Sequence, residues 1–191
     1  MSTDERPDAG ADLPSPEAVP ADADPPVRVE VYPGREAIVE FDPSLTFECV
    51  DGCTWCCHHG VLLYGPDLRE LAERADLSTS TTQVRGERFT RRESKAHDHA
   101  AGDGAACHFL DGDGRCSLHA ADDWKPARCS VFPLSVRRET PDDPLRVDVR
   151  DEATEHCDGL AVSERRLVAN LAAFVPAVLW DLPDPDTRRA L

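Results

Sequence analysis

Strict alternation of apolar and polar residues occurs twice in this chain. Val27 to Tyr32 (Val-Arg-Val-Glu-Val-Tyr) and Ala37 to Phe41 flank Pro33-Gly34 and predict a hairpin or two short strands. Ser130 to Arg138 and Leu145 to Arg150 predict a second hairpin across Thr140-Pro-Asp-Asp-Pro144. Between them the pattern is weaker. Val61 to Tyr64 reads as a short strand, and Gly65-Pro66 opens a helix with Asp67 and Glu70 in its positive first turn. Leu68, Leu71, Ala72 and Ala75 would form that helix's buried stripe. Ser78 to Ala106 is polar and rich in Thr, Arg, Gly and His. It predicts mostly loop or a variable insertion, with one strand near Gln83 to Thr90. At the end, Leu167, Leu171, Phe174, Val175 and Val178 have helical spacing, which predicts a helix over 164–180, capped by Ser163 and kinked at Pro176.

A further hairpin is suggested where Cys107-His-Phe-Leu and Arg115-Cys-Ser-Leu flank Asp111-Gly-Asp-Gly114. With Gly112 and Asp113 at the turn, Leu110 faces Arg115 and Phe109 faces Cys116, so Cys107 and Cys116 share a face. The acidic turn is not a calcium loop, because Cys116 stands at its sixth position, where glycine is needed. These elements predict an α+β fold: a small single domain with short β-hairpins, one short helix and a C-terminal helix around a cysteine-rich metal site.

Composition sets the boundaries. Residues 1–26 are dominated by Asp, Glu, Ala, Ser and Pro and predict a disordered acidic tail that adds nothing to the core, leaving 27–191 as the folded unit. The formal charge is -16, from 21 basic and 37 acidic residues. Such an acidic chain offers no basic face for phosphates, which argues against nucleic-acid binding, and its composition would suit a halophilic, high-salt cytoplasm. The one basic run, Arg85, Arg88, Arg91, Arg92 and Lys95, is expected to compensate itself among Glu87, Glu93 and Asp98. No targeting signal and no membrane span is expected, so the chain is read as cytoplasmic, where thiols stay reduced.

In a reducing compartment, eight cysteines point to ligands or redox groups before disulfides. Four lie within nine residues, at Cys49, Cys53, Cys56 and Cys57. The two-residue gap between Cys53 and Cys56 lets both sulfurs reach one metal, with Gly52 easing the turn. Adjacent Cys56 and Cys57 could serve two metals, or one could ligate while the other packs. Cys107, Cys116, Cys129 and Cys157 complete the set. Eight thiols divide into two groups of four, although one site with four thiols left over fits equally. Tetrathiolate coordination suits Zn2+ or an iron–sulfur cluster, and the presence of only one C-x2-C pair favours iron. His58, His59, His108 and His156, each beside a cysteine, are expected to support the site rather than ligate.

The order Cys49-x3-Cys53-x2-Cys56-Cys57, Cys107-x-Phe-Leu-x4-Arg-Cys116, Lys125-Pro-x2-Cys129-x2-Phe-Pro133 and Cys157 resembles the YkgJ-type cysteine-cluster family. The resemblance runs from Phe47 to Cys157. It implies a zinc- or iron-chelating domain with all eight cysteines at the metal, a kind often labelled an iron–sulfur oxidoreductase. This chain departs from the pattern with three residues after Cys49, with Thr54 after Cys53, and with Lys125 where arginine is commoner. The family is also similar to part of a flagellin lysine N-methylase. Methyl transfer does not carry over, because this chain has no Gly-rich strand–turn–helix for a nucleotide. Three functions follow as expectations: an iron–sulfur redox protein, an interaction module folded around structural zinc, or a metal-delivery protein. The partner, whether protein or small-molecule substrate, is not specified by these residues.

Overall fold

The computed structural model describes residues 13–95 and 104–181. Its architecture is α+β, and the first predicted hairpin is present. Strands β1 (Val27–Tyr32) and β2 (Arg35–Val39) pair antiparallel around Gly34, whose φ of +71° is one a side chain would resist. The alternation places Val29, Val31, Ala37 and Val39 inside, with Arg28 and Glu30 outside. The chain then crosses to β3 (Leu62–Leu63) and α1 (Gly65–Ala72), followed by α2 (Leu77–Ser80). Leu71 of α1 is fully buried, whereas Ala72, expected in the same stripe, is exposed.

The region from 78 to 106 is more ordered than its composition predicts. β4 (Thr81–Val84) and β5 (Glu87–Thr90) form a hairpin that adds β3 in the order β3-β5-β4. β6 (Arg92–Ser94) pairs with β7 (Ala105–Cys107), and residues 96–103 between them lie outside the described residues. The basic run is tied down locally. Arg91 donates to the Thr81 and Ser78 carbonyls, and Lys95 pairs with Glu93 at 2.9 Å. Asp98 lies outside the described residues.

The third hairpin is corrected. Leu110 bridges Cys116 rather than Arg115, a slip of one residue. The Asp111 carboxylate accepts from the Asp113 and Arg115 amides at 3.0 and 2.9 Å, and so draws one more residue into the turn. No second strand follows, because 117–122 folds as α3 (Ser117–Asp122).

The chain returns through α4 (Ala127–Val131) to β8 (Leu134–Arg137) and β9 (Leu145–Val149), the hairpin expected there, although its first residues are helical. β9 pairs parallel to β2, giving a four-stranded sheet in the order β1-β2-β9-β8. α5 (Asp151–His156) and α6 (Leu171–Phe174) complete the helices. The single C-terminal helix is corrected to three pieces: α6 between short 3-10 turns at Val168–Asn170 and Ala177–Asp181. Residues 165–167 instead pair with 45–47, where Phe47 and Leu167 donate to the Arg165 and Leu45 carbonyls. Backbone groups bonded across to another segment cannot also bond along a helix.

The disordered tail is also corrected in part. Val19 is 2% exposed within the main core, and Arg166 donates to its carbonyl at 2.9 Å. Residues 1–12 of that segment lie outside the described residues. Apolar contacts form two clusters. The larger packs the four-stranded sheet against Leu167, Val168, Leu171, Phe174 and Val175. The smaller consists of Leu63, Leu71, Phe109 and Leu118, with Leu68, Leu77 and Trp124 at its edge. Among the described residues no helix is long and apolar enough to cross a membrane.

Candidate metal centre

The cysteines lie where the chain passes between the two clusters. Outbound, Phe47 bridges Leu160, and Glu48 donates to the Gly159 carbonyl at 3.0 Å, which holds the segment entering Cys49 against the one leaving Cys157. Only glycine fits at 159, since a Cβ there would overlap the Glu48 carbonyl oxygen. Gly52, at φ +81°, then turns the chain, and the Cys53 amide donates to the Val50 carbonyl at 3.3 Å. Trp55–His58 winds as a 3-10 turn carrying Cys56 and Cys57.

Inbound, the buried Asp67 sets the geometry. One carboxylate oxygen accepts from the Tyr64 amide and the other from the Ala127 amide, both at 2.9 Å. It thereby locks the start of α1 to the start of α4, two residues before Cys129. Burial raises the Asp67 pKa, and the two amides partly offset this. Arg128, next to Cys129, donates from Nε to the Tyr64 hydroxyl at 2.5 Å.

These segments enclose a cavity of about 580 Å³ lined by Cys49, Cys53, Cys56, Cys57, Cys107, Cys116 and Cys129. Cys157 is outside that lining but donates its thiol to Cys53. All eight are free thiols, Cys49 exposed and the rest half-buried. The eight residues named from sequence therefore gather at one place, Cys107 and Cys116 included, despite the shifted register. Among the described residues, no group of three or more His, Cys, Asp or Glu side chains stands so that it could hold a metal ion.

Electrostatics distinguish the thiols. The Cys56–Cys57 hydrogen bond lowers Cys56 to about 7 against the cost of burial, because its sulfur accepts, and it raises Cys57, the donor. Burial raises Cys49, Cys107 and Cys129 and takes Cys157 to about 11. Lys125 opposes this by bonding the Cys49 sulfur and favouring the thiolates of Cys56 and Cys129.

Sequence reasoning missed the rest of the wall. Trp55 stacks on His156, with ring centroids 5.2 Å apart, and meets His59 edge-on at 5.0 Å. Arg115, Arg128, Arg150 and His119 also line the cavity. They come from separate segments; Arg115 and Lys125 carried a signal through their motifs, whereas Arg128, Arg150 and His119 carried none. Of the four histidines beside cysteines, His59 lines the cavity, His156 stacks, His108 pairs with Glu93 at 3.1 Å and His58 sits 3.4 Å from the Thr54 hydroxyl.

The donor set is soft sulfur, partly shielded from water and faced by a lysine, which fits zinc or an iron–sulfur cluster and fits hard oxygen-seeking cations poorly. A concentration of thiols around one cavity is in keeping with a metal-chelating domain. The family model CxxCxxCC, described as a "putative zinc- or iron-chelating domain", matches residues 48–158, more than half of the chain, and the protein belongs to that family. No curated protein and no solved structure matches it.

Proposed function

We propose that the protein carries iron–sulfur chemistry at this centre and acts in electron transfer or small-molecule redox. The observation that supports this most is the cavity: seven thiols around about 580 Å³. A lone ion held by four sulfurs at about 2.3 Å fills little of such a space, whereas the volume lies within the ~300–1,000 Å³ typical of ligand and cofactor pockets. When bound, an iron–sulfur cluster would supply one-electron chemistry tuned by hydrogen bonds and charge around its sulfurs. This chain's own contribution is to place the thiols, to favour their ionised form through Lys125, and to shield them with Trp55 and its neighbours. Reduced thiols suit a reducing compartment, in keeping with a cytoplasmic protein.

Anaerobic purification followed by iron and sulfide analysis and a visible spectrum tests this. A brown protein with iron and acid-labile sulfide supports it. A colourless protein saturated with zinc overturns it.

The second reading is structural zinc, and one observation favours it. The smaller cluster has only four buried apolar residues, too few to hold a lobe without a staple. In this reading metal replaces the missing core, and the domain serves as an interaction module.

A further inference from the structure

The eight thiols fall into two neighbourhoods. In the first, the Phe47–Leu160 bridge brings Cys49 and Cys157 to adjacent segments. Cys157 hydrogen-bonds Cys53, and Cys49 feels the charge of Cys56 and Cys53. In the second, β7 packs against the 3-10 turn that carries the cysteine doublet. Cys107 ends β7, and the Leu110–Cys116 bridge folds Cys116 back beside it. Both of these pack on the smaller apolar cluster. Cys129 lines the same cavity and feels the charge of Cys107, Cys56 and Cys116, in that order, while Cys57 feels that of Cys56, Cys107 and Cys129.

The neighbourhoods meet at the doublet, where Cys56 hydrogen-bonds Cys57 and its charge is also felt at Cys129. A 3-10 turn has about three residues per turn, so successive side chains point about 120° apart. Adjacent cysteines there address two directions while their sulfurs stay in contact.

We propose that the chain builds two four-sulfur metal sites joined at Cys56-Cys57, one from Cys49, Cys53, Cys56 and Cys157 and the other from Cys57, Cys107, Cys116 and Cys129. The assignment rests on the metal-binding reading and is indifferent to whether zinc or iron fills the sites. Four thiolates are a complete set for either. The first site clips the two passes of chain beside the main sheet. The second anchors the lobe that has little core of its own.

Zinc titration of the reduced full-length chain, counted by native mass spectrometry against a competing chelator, tests the division. Wild type is expected to hold two zinc ions. Cys107→Ser with Cys116→Ser, both in the second set, is expected to keep one, as is Cys49→Ser with Cys157→Ser in the first. Retention of that ion also reports that each variant has folded. Cys107→Ser with Cys157→Ser breaks one ligand in each set and is expected to keep neither.

A wild type that holds a single ion overturns the division. So do same-set variants that lose both ions, or a cross-set variant that keeps one. If iron–sulfur reconstitution fails while two zinc ions bind in this pattern, the redox reading falls and the division stands. If neither zinc nor iron binds at all, the metal-binding reading and the division fall together.

Discussion

The two halves of this molecule are held by different means. The sheet β1-β2-β9-β8 packs a continuous layer of Val, Leu and Phe against the 167–179 helical turns, and Val29, Val39, Leu134, Val147, Leu167 and Leu171 are fully buried. The lobe from β3 to α3 buries seven apolar residues, of which only Leu63, Leu71, Phe109 and Leu118 pack into a cluster of their own, and displays strands such as β4, in which Thr82, Gln83 and Val84 are all exposed. At about 25 cal/mol per Å² of apolar surface, the first half draws far more stability from burial than the second. Five of the eight cysteines, Cys56, Cys57, Cys107, Cys116 and Cys129, lie at or within the border of the weaker lobe. Where apolar burial is scarce, covalent or coordinate bonds substitute for it.

The largest expected effect comes from metal removal. Structural zinc sites contribute on the order of 10–16 kcal/mol of apparent binding free energy, so stripping metal should unfold the lobe and leave the sheet. Hydrogen exchange on loaded and stripped protein should show amides of 61–95 and 104–124 losing protection while those of β1, β2, β8 and β9 keep theirs. Equal loss in both halves would abolish the distinction.

Paired core truncations sharpen it. Leu171→Ala opens a cavity in the main core and should cost about 2–5 kcal/mol with or without metal. Leu71→Ala, equally buried in the smaller cluster, should cost a similar amount only in loaded protein. The reason is that the stripped lobe has no packing left to lose. Urea titration in both states measures this.

How far these halves could be read from sequence follows the same divide. The hairpins of the main sheet were visible because one face is buried and one is wet, and burial imposes alternation. In the lobe the strands are only two to four residues long, too short for a period to mark them. The register slip at Leu110 depended on how many residues the Asp111 side chain gathers into its turn. The C-terminal periodicity was real, since Leu167, Leu171, Phe174 and Val175 are all buried. What broke the helix was pairing with 45–47, a partner more than a hundred residues away. All eight cysteines were identifiable by type, but their grouping depends on which distant segments meet. Arg128, Arg150 and His119 likewise become part of the centre only through the fold.

Asp67 joins the halves and should show an intermediate effect. Asp67→Ala leaves the Tyr64 and Ala127 amides without their acceptor, at about 1–3 kcal/mol for each buried group. Because burial raises the carboxyl's pKa in the folded state, its ionised form is less favourable there than in the unfolded chain. Its contribution is therefore fullest below the ordinary carboxylate range and declines as pH rises through the raised value. Comparing wild type with the variant by urea titration across acid pH should show the gap narrowing upward. A gap that widens with pH would reverse that sign.

Gly159→Ala probes the joint from the other side. The added methyl meets the Glu48 carbonyl, a backbone atom that cannot swing away, and overpacking of this kind costs about 1–3 kcal/mol. The segments entering Cys49 and leaving Cys157 should separate, so zinc retention should weaken at the site containing those two thiols and stay unchanged at the other. Native mass spectrometry resolves the two, and equal weakening at both would mean that the joint serves the whole centre.

The smallest effect is expected at Arg115 and Asp51, an ion pair that spans the same border. Its position suggests a clasp between the halves, since it ties the first cysteine turn to the turn before Cys116. Both side chains are more than half exposed, at 55% and 70%, and exposed pairs contribute about 0–1 kcal/mol because water and salt screen them. Arg115→Ala should therefore change urea stability by less than about 1 kcal/mol, and less again at high salt. The measurement discriminates because both outcomes are informative. A small effect leaves metal as the bond between the lobe and the sheet. A loss of several kcal/mol, persisting in stripped protein, would move that role to a surface ion pair and remove the reason for the lobe's dependence on its thiols.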